Sequence, residues 1–219
     1  MASASPLDEA ARRVRSGGLV AFPTETLWGL GADARCEGAL ARLRAWKGRG
    51  AAQPISILVE DAAALPPLGI ALGTAAAALA AAFWPGPLTL VLPSRGGFAA
   101  GIANAEGGVG VRCSPHPAAR ALAARLAREG VGPLTATSLN RSGAPPARTR
   151  EEARALCAAG EEGPWLFDPP GAPEPAGLAS SVVDASGDGV RLLREGAIAA
   201  DALRAALARV NLRLEERPA

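Results

Sequence analysis

The sequence predicts an α/β fold, a twisted mixed sheet flanked by helices, in a single domain over residues 1–219. Three observations carry that reading. Short apolar runs of strand length intermix along the whole chain with longer stretches whose apolar residues recur at helical spacing. The intermixing keeps no strict strand–helix–strand rhythm, so a mixed sheet fits better than a purely parallel one. No internal repeat is present, and no linker separates two cores.

The elements follow in order. Ser5-Pro6-Leu7-Asp8 reads as a capping box with proline at the first helical position, opening a helix to about Ser16 that Gly17-Gly18 stops. Leu19 to Phe22 is a short apolar strand, and Thr24 to Gly31, with Gly29 and Gly31, reads as a loop. Leu40, Leu43 and Trp46 are spaced for a helix over about Glu37 to Trp46. Pro54 to Val59 is a buried-type strand, and Asp61 can cap the short helix after it. An alanine-rich helix covers about Leu72 to Phe83. Strands follow at Leu88 to Leu92 and Val109 to Arg112, then a helix at Pro117 to Arg128 closed by Gly130. Leu134 to Thr137 reads as one strand running into a Gly/Pro-rich loop, Ser138 to Ala147. Thr149 to Glu152 is a second capping box, for a helix to about Ala158. Short strands at Trp165 to Phe167, Ser181 to Asp184 and Val190 to Leu193, and a last helix over about Ile198 to Val210, complete the chain.

Composition excludes several classes of function. With 49% hydrophobic and 20% charged residues the chain has a globular balance. The longest apolar run, Ala71 to Phe83, is mostly alanine and too short to span a bilayer, so no membrane partner is expected. Met1 to Pro6 lacks the basic and apolar segments of a signal peptide, and the expected location is cytoplasmic. Cys36, Cys113 and Cys157 are odd in number and far apart, which argues against disulfides and zinc. His116 is the only histidine, and it opens a helix, so a structural role is expected and no metal site is predicted. A net charge of +2 is too small to imply nucleic-acid binding by bulk electrostatics. An RNA-binding module is nevertheless a rival, because Arg141, Arg148, Arg150 and Arg154 cluster near one loop. Aromatics at 4%, with no tyrosine, leave that module no stacking platform.

Four polar segments stand at the ends of apolar strands, where an open α/β sheet places its ligands. Pro23-Thr24-Glu25-Thr26 follows the first strand, and ordinary turn chemistry would also account for it. Lys47-Gly48-Arg49, with Gln53-Pro54 behind it, is either a solvated helix terminus or a phosphate clamp. Lys47 is the one lysine among 23 basic residues, which is chance under an arginine bias or a site that needs a compact ammonium. Thr137-Ser138-Leu139-Asn140 ends a strand, and Ser180-Ser181 opens one whose neighbour ends at Arg194; a simple turn and a strand edge are their plain alternatives. No GxxxxGK[ST] or GxGxxG is present, so any nucleotide is bound by another route.

Taken together in this order, these residues resemble the YrdC family, the threonylcarbamoyl-AMP synthases. The match rests on Ala21 to Thr26, Gly29-Leu30-Gly31, Lys47-x-Arg49, Trp84 to Thr89, Val111-Arg112 with His116-Pro117, Ser138-x-Asn140 with Ser142-Gly143, and Leu192 to Arg194 with Gly196. It runs from Gly18 to Gly196, and the paired KxR and SxN signatures are its most specific parts. The chain departs from the pattern at Trp28, Gly50, Leu58, Leu139 and Ala179, and it ends one helix after Arg194, as in the short bacterial form.

The resemblance implies a YrdC-like fold with a concave ligand-binding face. It implies ATP contacts at Lys47, Arg49, Gln53, Ser138, Asn140 and Arg194, with Lys47 and Arg49 in the catalytic role. It implies L-threonine contacts at Thr26, Arg112, Ala136 and Ser180. The implied activity is that of a nucleotidyltransferase, L-threonylcarbamoyladenylate synthase. Threonine captures bicarbonate or CO2 as a carbamate, the carbamate attacks the α-phosphorus of ATP, and pyrophosphate leaves. The implied cofactor is Mg²⁺ carried with ATP. The product would serve N6-threonylcarbamoyladenosine modification of tRNA through downstream transfer proteins, with at most weak tRNA contact by this chain. A carbamoyl-adenylating relative with another acceptor is the second rival.

Overall fold

The computed structural model describes residues 5–48, 53–160 and 163–215. In chain order the elements are α1 (Pro6–Arg15), β1 (Val20–Pro23), β2 (Trp28–Gly31), α2 (Glu37–Lys47), β3 (Ile57–Val59), α3 (Thr74–Phe83), β4 (Leu88–Pro93) and β5 (Gly108–Cys113). Then come α4 (Pro117–Arg128), β6 (Leu134–Thr135), β7 (Thr137–Ser138), α5 (Arg150–Ala158), β8 (Trp165–Leu166), β9 (Ser181–Asp184), β10 (Arg191–Arg194) and α6 (Ala200–Ala208).

The helix boundaries obey the local chemistry expected of them. Both capping boxes form: Ser5 with Asp8, and Thr149 with Glu152. Asp61 accepts the Ala63 amide and caps a single 3₁₀ turn, Ala62–Ala64. His116 caps α4, its Nδ1 accepting the Ala118 amide at 3.2 Å, while Nε2 meets the Pro173 carbonyl at 3.1 Å. The structural role expected of this histidine is therefore the one it occupies.

Two expectations need correction. The strands form two mixed sheets rather than one: a six-stranded sheet in the order β10-β9-β4-β5-β3-β6, and a four-stranded sheet in the order β7-β2-β1-β8. The segment read as a loop up to Gly31 contains β2, antiparallel to β1 with Phe22 opposite Gly29. The glycines misled because their service here is space, not turning. A Cβ on Gly31 would lie 2.6 Å from Leu134 and 2.9 Å from the Phe22 ring.

The run Leu134 to Thr137, read as one strand, divides itself, with the Ser138 that follows, between the sheets. Leu134–Thr135 pairs with β3, and Thr137–Ser138 pairs with β2. Ala136 sits at the crossing and donates its amide to the Ser56 carbonyl at 2.7 Å. Thr135 stitches the two sheets together: its amide donates to the Ala32 carbonyl at 2.8 Å, and its hydroxyl accepts the Ala32 amide at 2.9 Å.

Helices cover the sheets. α2, α3 and α6 help enclose a large core that includes Leu40, Leu43, Leu79, Leu90, Val111 and Leu203. α1 and α4 enclose a smaller one with Phe22, Leu58, Leu122 and Phe167. Among the described residues no helix is long and apolar enough to cross a membrane.

Two predictions follow from this packing. Gly31→Ala should destabilise the fold by about 1–3 kcal/mol, the usual cost of forcing an extra methyl into a filled core; urea unfolding would measure it. The second concerns His116, whose imidazole is pushed below its ordinary value by burial, against the opposing effects of the Pro173 carbonyl and Glu25. The unfolded chain then binds more protons in that window. Stability is fully present above the unfolded value of about 6.5 and is lost as pH falls toward the lowered folded value. The midpoint of thermal unfolding should drop between pH 7.5 and 5.5, and His116→Asn, a neutral cap, should shrink that drop.

Candidate active site

The strand that changes sheets leaves a gap between them. There lies a cavity of about 500 Å³, walled by the turn after β1, the cavity faces of β4 and β5, the crossing at Ala136, and the segment leading into β9. Six of the residues singled out from sequence line it: Thr26, Arg112, Ala136, Ser138, Ser180 and Arg194. Residues more than 150 positions apart in the chain thus share one enclosure.

Arg112 is the most constrained of them. It projects from β5, opposite Thr89 of β4 and Leu58 of β3, and is only 8% exposed. Its Nη1 donates to Thr26 Oγ1 at 3.0 Å and its Nη2 to Glu25 Oε1 at 2.5 Å. The turn that presents Thr26 is locked from inside. Thr24 Oγ1 contacts Thr26 Oγ1 at 2.9 Å, donates to the Leu27 carbonyl at 2.7 Å, and accepts the Thr26 amide at 3.2 Å. Arg112 Nε and Trp28 Nε1 are buried and have no protein partner among the described residues.

Ser180 and Arg194 form the opposite corner. Arg194 donates to the Ser180 carbonyl from Nε at 3.1 Å and from Nη2 at 2.9 Å, and Nη2 also reaches the Ser180 hydroxyl at 3.2 Å. That hydroxyl contacts Thr89 Oγ1 at 2.9 Å. Arg194 is more open to solvent than Arg112. Even so, the covered part of its head group, and then the charge of Arg112, lower its pKa. Two guanidinium groups thus line the one cavity, a disposition suited to an anionic ligand.

In the strand register Thr89 and Val182 stand between the two arginines. Gly110 lies beside Arg112 along β5 at the next position on the cavity face, and a Cβ there would sit 2.6 Å from Ser56 Oγ.

Of the remaining predicted residues, Lys47 and Asn140 stand just behind this lining. Lys47, the last residue of α2, is 3% exposed, which removes the solvated-terminus alternative. Its ammonium donates to the Ser138 carbonyl at 2.5 Å, the Asn140 carbonyl at 3.1 Å and Asn140 Oδ1 at 3.0 Å. Asn140 Oδ1 also accepts the Ser138 hydroxyl at 2.7 Å, so Asn140 shapes the turn that presents Ser138. Gln53 is exposed and precedes Pro54, a lining residue. Arg49, like Gly50, lies outside the described residues.

The departures from the family pattern are absorbed in different ways. Leu139 and Trp28 are fully buried, Leu58 packs in the smaller core, and Ala179 lines the cavity. Sequence reasoning missed Glu25 as a site residue, although it stands in the Pro23-Thr24-Glu25-Thr26 turn. The one signal available was a carboxylate between two hydroxyls, and nothing local tells that its partner is 87 residues away.

Three of the four arginines that suggested an RNA-binding face are engaged within the protein. Arg150 pairs with Asp168 and Glu174, Arg154 pairs with Asp168, and Arg141 stacks on Trp46 with its Cζ 4.4 Å from the ring centroid. No cluster of three or more His, Cys, Asp or Glu residues able to hold a metal exists among the described residues.

Comparison with known proteins agrees with this geometry. The threonylcarbamoyl-AMP synthase of Chromohalobacter salexigens is 37% identical over 153 residues, which cover 70% of this chain and 80% of that protein. The crystal structure of P. abyssi Sua5 complexed with L-threonine superposes with a TM-score of 0.83 at 31% identity, over 98% of this chain. This chain spans only 61% of that Sua5 chain. The E. coli YciO structure shares the fold, with a TM-score of 0.74 at 19% identity over 92% of this chain and 95% of YciO. The Sua5/YciO/YrdC family profile, described as "Telomere recombination", matches residues 12–196. By that match, and by its similarity to the Chromohalobacter salexigens protein, the chain belongs to the Sua5/YciO/YrdC family.

Proposed function

We propose that this protein is an L-threonylcarbamoyladenylate synthase, a nucleotidyltransferase that joins L-threonine, bicarbonate or CO2, and ATP, releasing pyrophosphate. One observation carries the reading: both sets of residues expected from the sequence, Thr26, Arg112, Ala136 and Ser180 on one hand and Ser138 and Arg194 on the other, line a single cavity. The names of the relatives agree with it.

In this reading Arg112 and Thr26 meet the amino acid, with Ser180 and the Ala136 backbone beside them. Arg194 and Ser138 face the nucleotide, with Lys47, Asn140, Gln53 and Arg49 supporting or contacting its phosphates. The threonine amine takes up bicarbonate or CO2, and the resulting carbamate oxygen attacks the α-phosphorus as the bond to pyrophosphate breaks. Negative charge grows on the phosphate oxygens, and fixed cations at their edge stabilise it without rearranging. The enclosure supplies the rest by holding a weak nucleophile in line with phosphorus. Among the described residues the cavity lining offers hydroxyls, carbonyls, amides and two guanidinium groups but no carboxylate. That donor set does not suit a resident Mg²⁺, which is held chiefly by carboxylates and phosphates. Mg²⁺ is therefore assigned to the ATP that brings it, and no step is built on it. The product would feed tRNA modification by downstream transfer proteins in the cytoplasm.

Pyrophosphate release by the purified protein tests the reading. It should require threonine and bicarbonate together with ATP; equal release from ATP alone would make this a hydrolase. Replacing threonine with other amines in the same assay would expose a different acceptor. Lys47→Arg tests the ammonium. The swap keeps the charge but changes the shape and reach of the group seated against three oxygens, and pyrophosphate release should fall by about tenfold to a thousandfold, the range for loss of one preorganised donor. Thermal melts beside the assay would separate this from unfolding, and wild-type activity would remove Lys47 from the site.

A further inference from the structure

We infer that Glu25 is a positioning residue for the acceptor amino acid, acting through Arg112. The inference rests on the synthase reading above and extends it to a side chain that does not line the cavity.

Glu25 is held on every side. Oε1 accepts Arg112 Nη2 at 2.5 Å, and Oε2 accepts the hydroxyl of Ser114, a fully buried residue. Its own carbonyl accepts the Ala176 amide at 3.0 Å, and the Thr26 carbonyl accepts the Gly177 amide at 2.8 Å. The turn is thereby strapped to the segment that leads to Ser180. With both oxygens engaged, Glu25 is poorly placed to act as a base, and it lies behind the arginine rather than beside the reactants.

Its effect falls on the arginine's plane. A guanidinium is a rigid fork, and fixing two of its nitrogens fixes its orientation. Glu25 holds Nη2 and Thr26 holds Nη1, so the direction in which Arg112 presents its remaining N–H groups is set before any ligand arrives. Glu25 is also the carboxylate that pairs with Arg112 among the described residues. Without it, a nearly buried cation would face Arg194 uncompensated, a costly arrangement. The negative charge weakens Arg112's pull on a ligand carboxylate, and the fixed plane is what the site gains in exchange. Because Arg112 and Thr26 are joined through this unit, the consequence should fall on the amino acid and not on ATP.

The test is steady-state pyrophosphate release, varying threonine and ATP separately, for Glu25→Ala and Glu25→Gln, with thermal melts of each. Glu25→Ala should raise the KM for threonine by about tenfold or more, as for a misplaced positioning group, while the KM for ATP stays within about twofold. Glu25→Gln keeps a hydrogen-bonding oxygen for Arg112 and should stay within about threefold of wild type for threonine. Unchanged threonine KM in Glu25→Ala, an equal loss for both substrates, or a Gln variant as impaired as Ala would overturn the inference. If Glu25→Ala does not fold, Ser114→Ala frees one carboxylate oxygen and should still raise the threonine KM severalfold; a wild-type value there would overturn it too. Thermal stabilisation by L-threonine alone keeps the two readings apart. Wild-type protein that releases no pyrophosphate yet is stabilised by threonine, with the effect lost in Glu25→Ala, would end the synthase reading and leave Glu25's role standing.

Discussion

Five residues, Leu134–Ser138, set the architecture, because their backbone groups cannot all be satisfied in one sheet. Buried amides and carbonyls must find partners. Here the first two residues pair with β3 and the last two with β2, with Ala136 between them bonded to Ser56. A strand shared in this way holds two sheets together at one edge and apart elsewhere. The wedge that results is where Arg112 and Thr26 approach each other from different sheets. Thr135, bonded to both the carbonyl and the amide of Ala32, ties the junction across the two sheets.

The cations around that wedge are compensated unequally. Arg112 has a carboxylate, Glu25. Arg194 has the carbonyl and hydroxyl of Ser180, and among the described residues no carboxylate pairs with it. A neutral oxygen steadies a guanidinium without cancelling its charge. This asymmetry suits the division of labour proposed for the site: the guanidinium held by neutral oxygens faces the polyanionic nucleotide, and the better-oriented fork faces the amino acid.

Most of the local structure was legible in the sequence, because caps, helical spacing and apolar runs report short-range physics. The capping boxes at Ser5 and Thr149, the Asp61 cap and the six helices formed as their residues suggested. What failed was tertiary. Gly29 and Gly31 signalled a turn but serve to admit Phe22 and Leu134, partners that no local window contains. The strand-length run Leu134 to Thr137 gave no hint that it would change sheets. Of the site residues expected from the sequence, six meet in the cavity. Glu25 escaped because its meaning depends on Arg112 and Ser114, which only folding brings to it.

The two guanidinium groups that line one cavity have a thermodynamic side. An anionic ligand held between them would bind only the folded form, because in the unfolded chain the two groups are far apart and solvated, and so would raise apparent stability by mass action. Charge alone does not tell one anion from another, so discrimination falls to the hydroxyls of Thr26, Ser138 and Ser180 in the same lining.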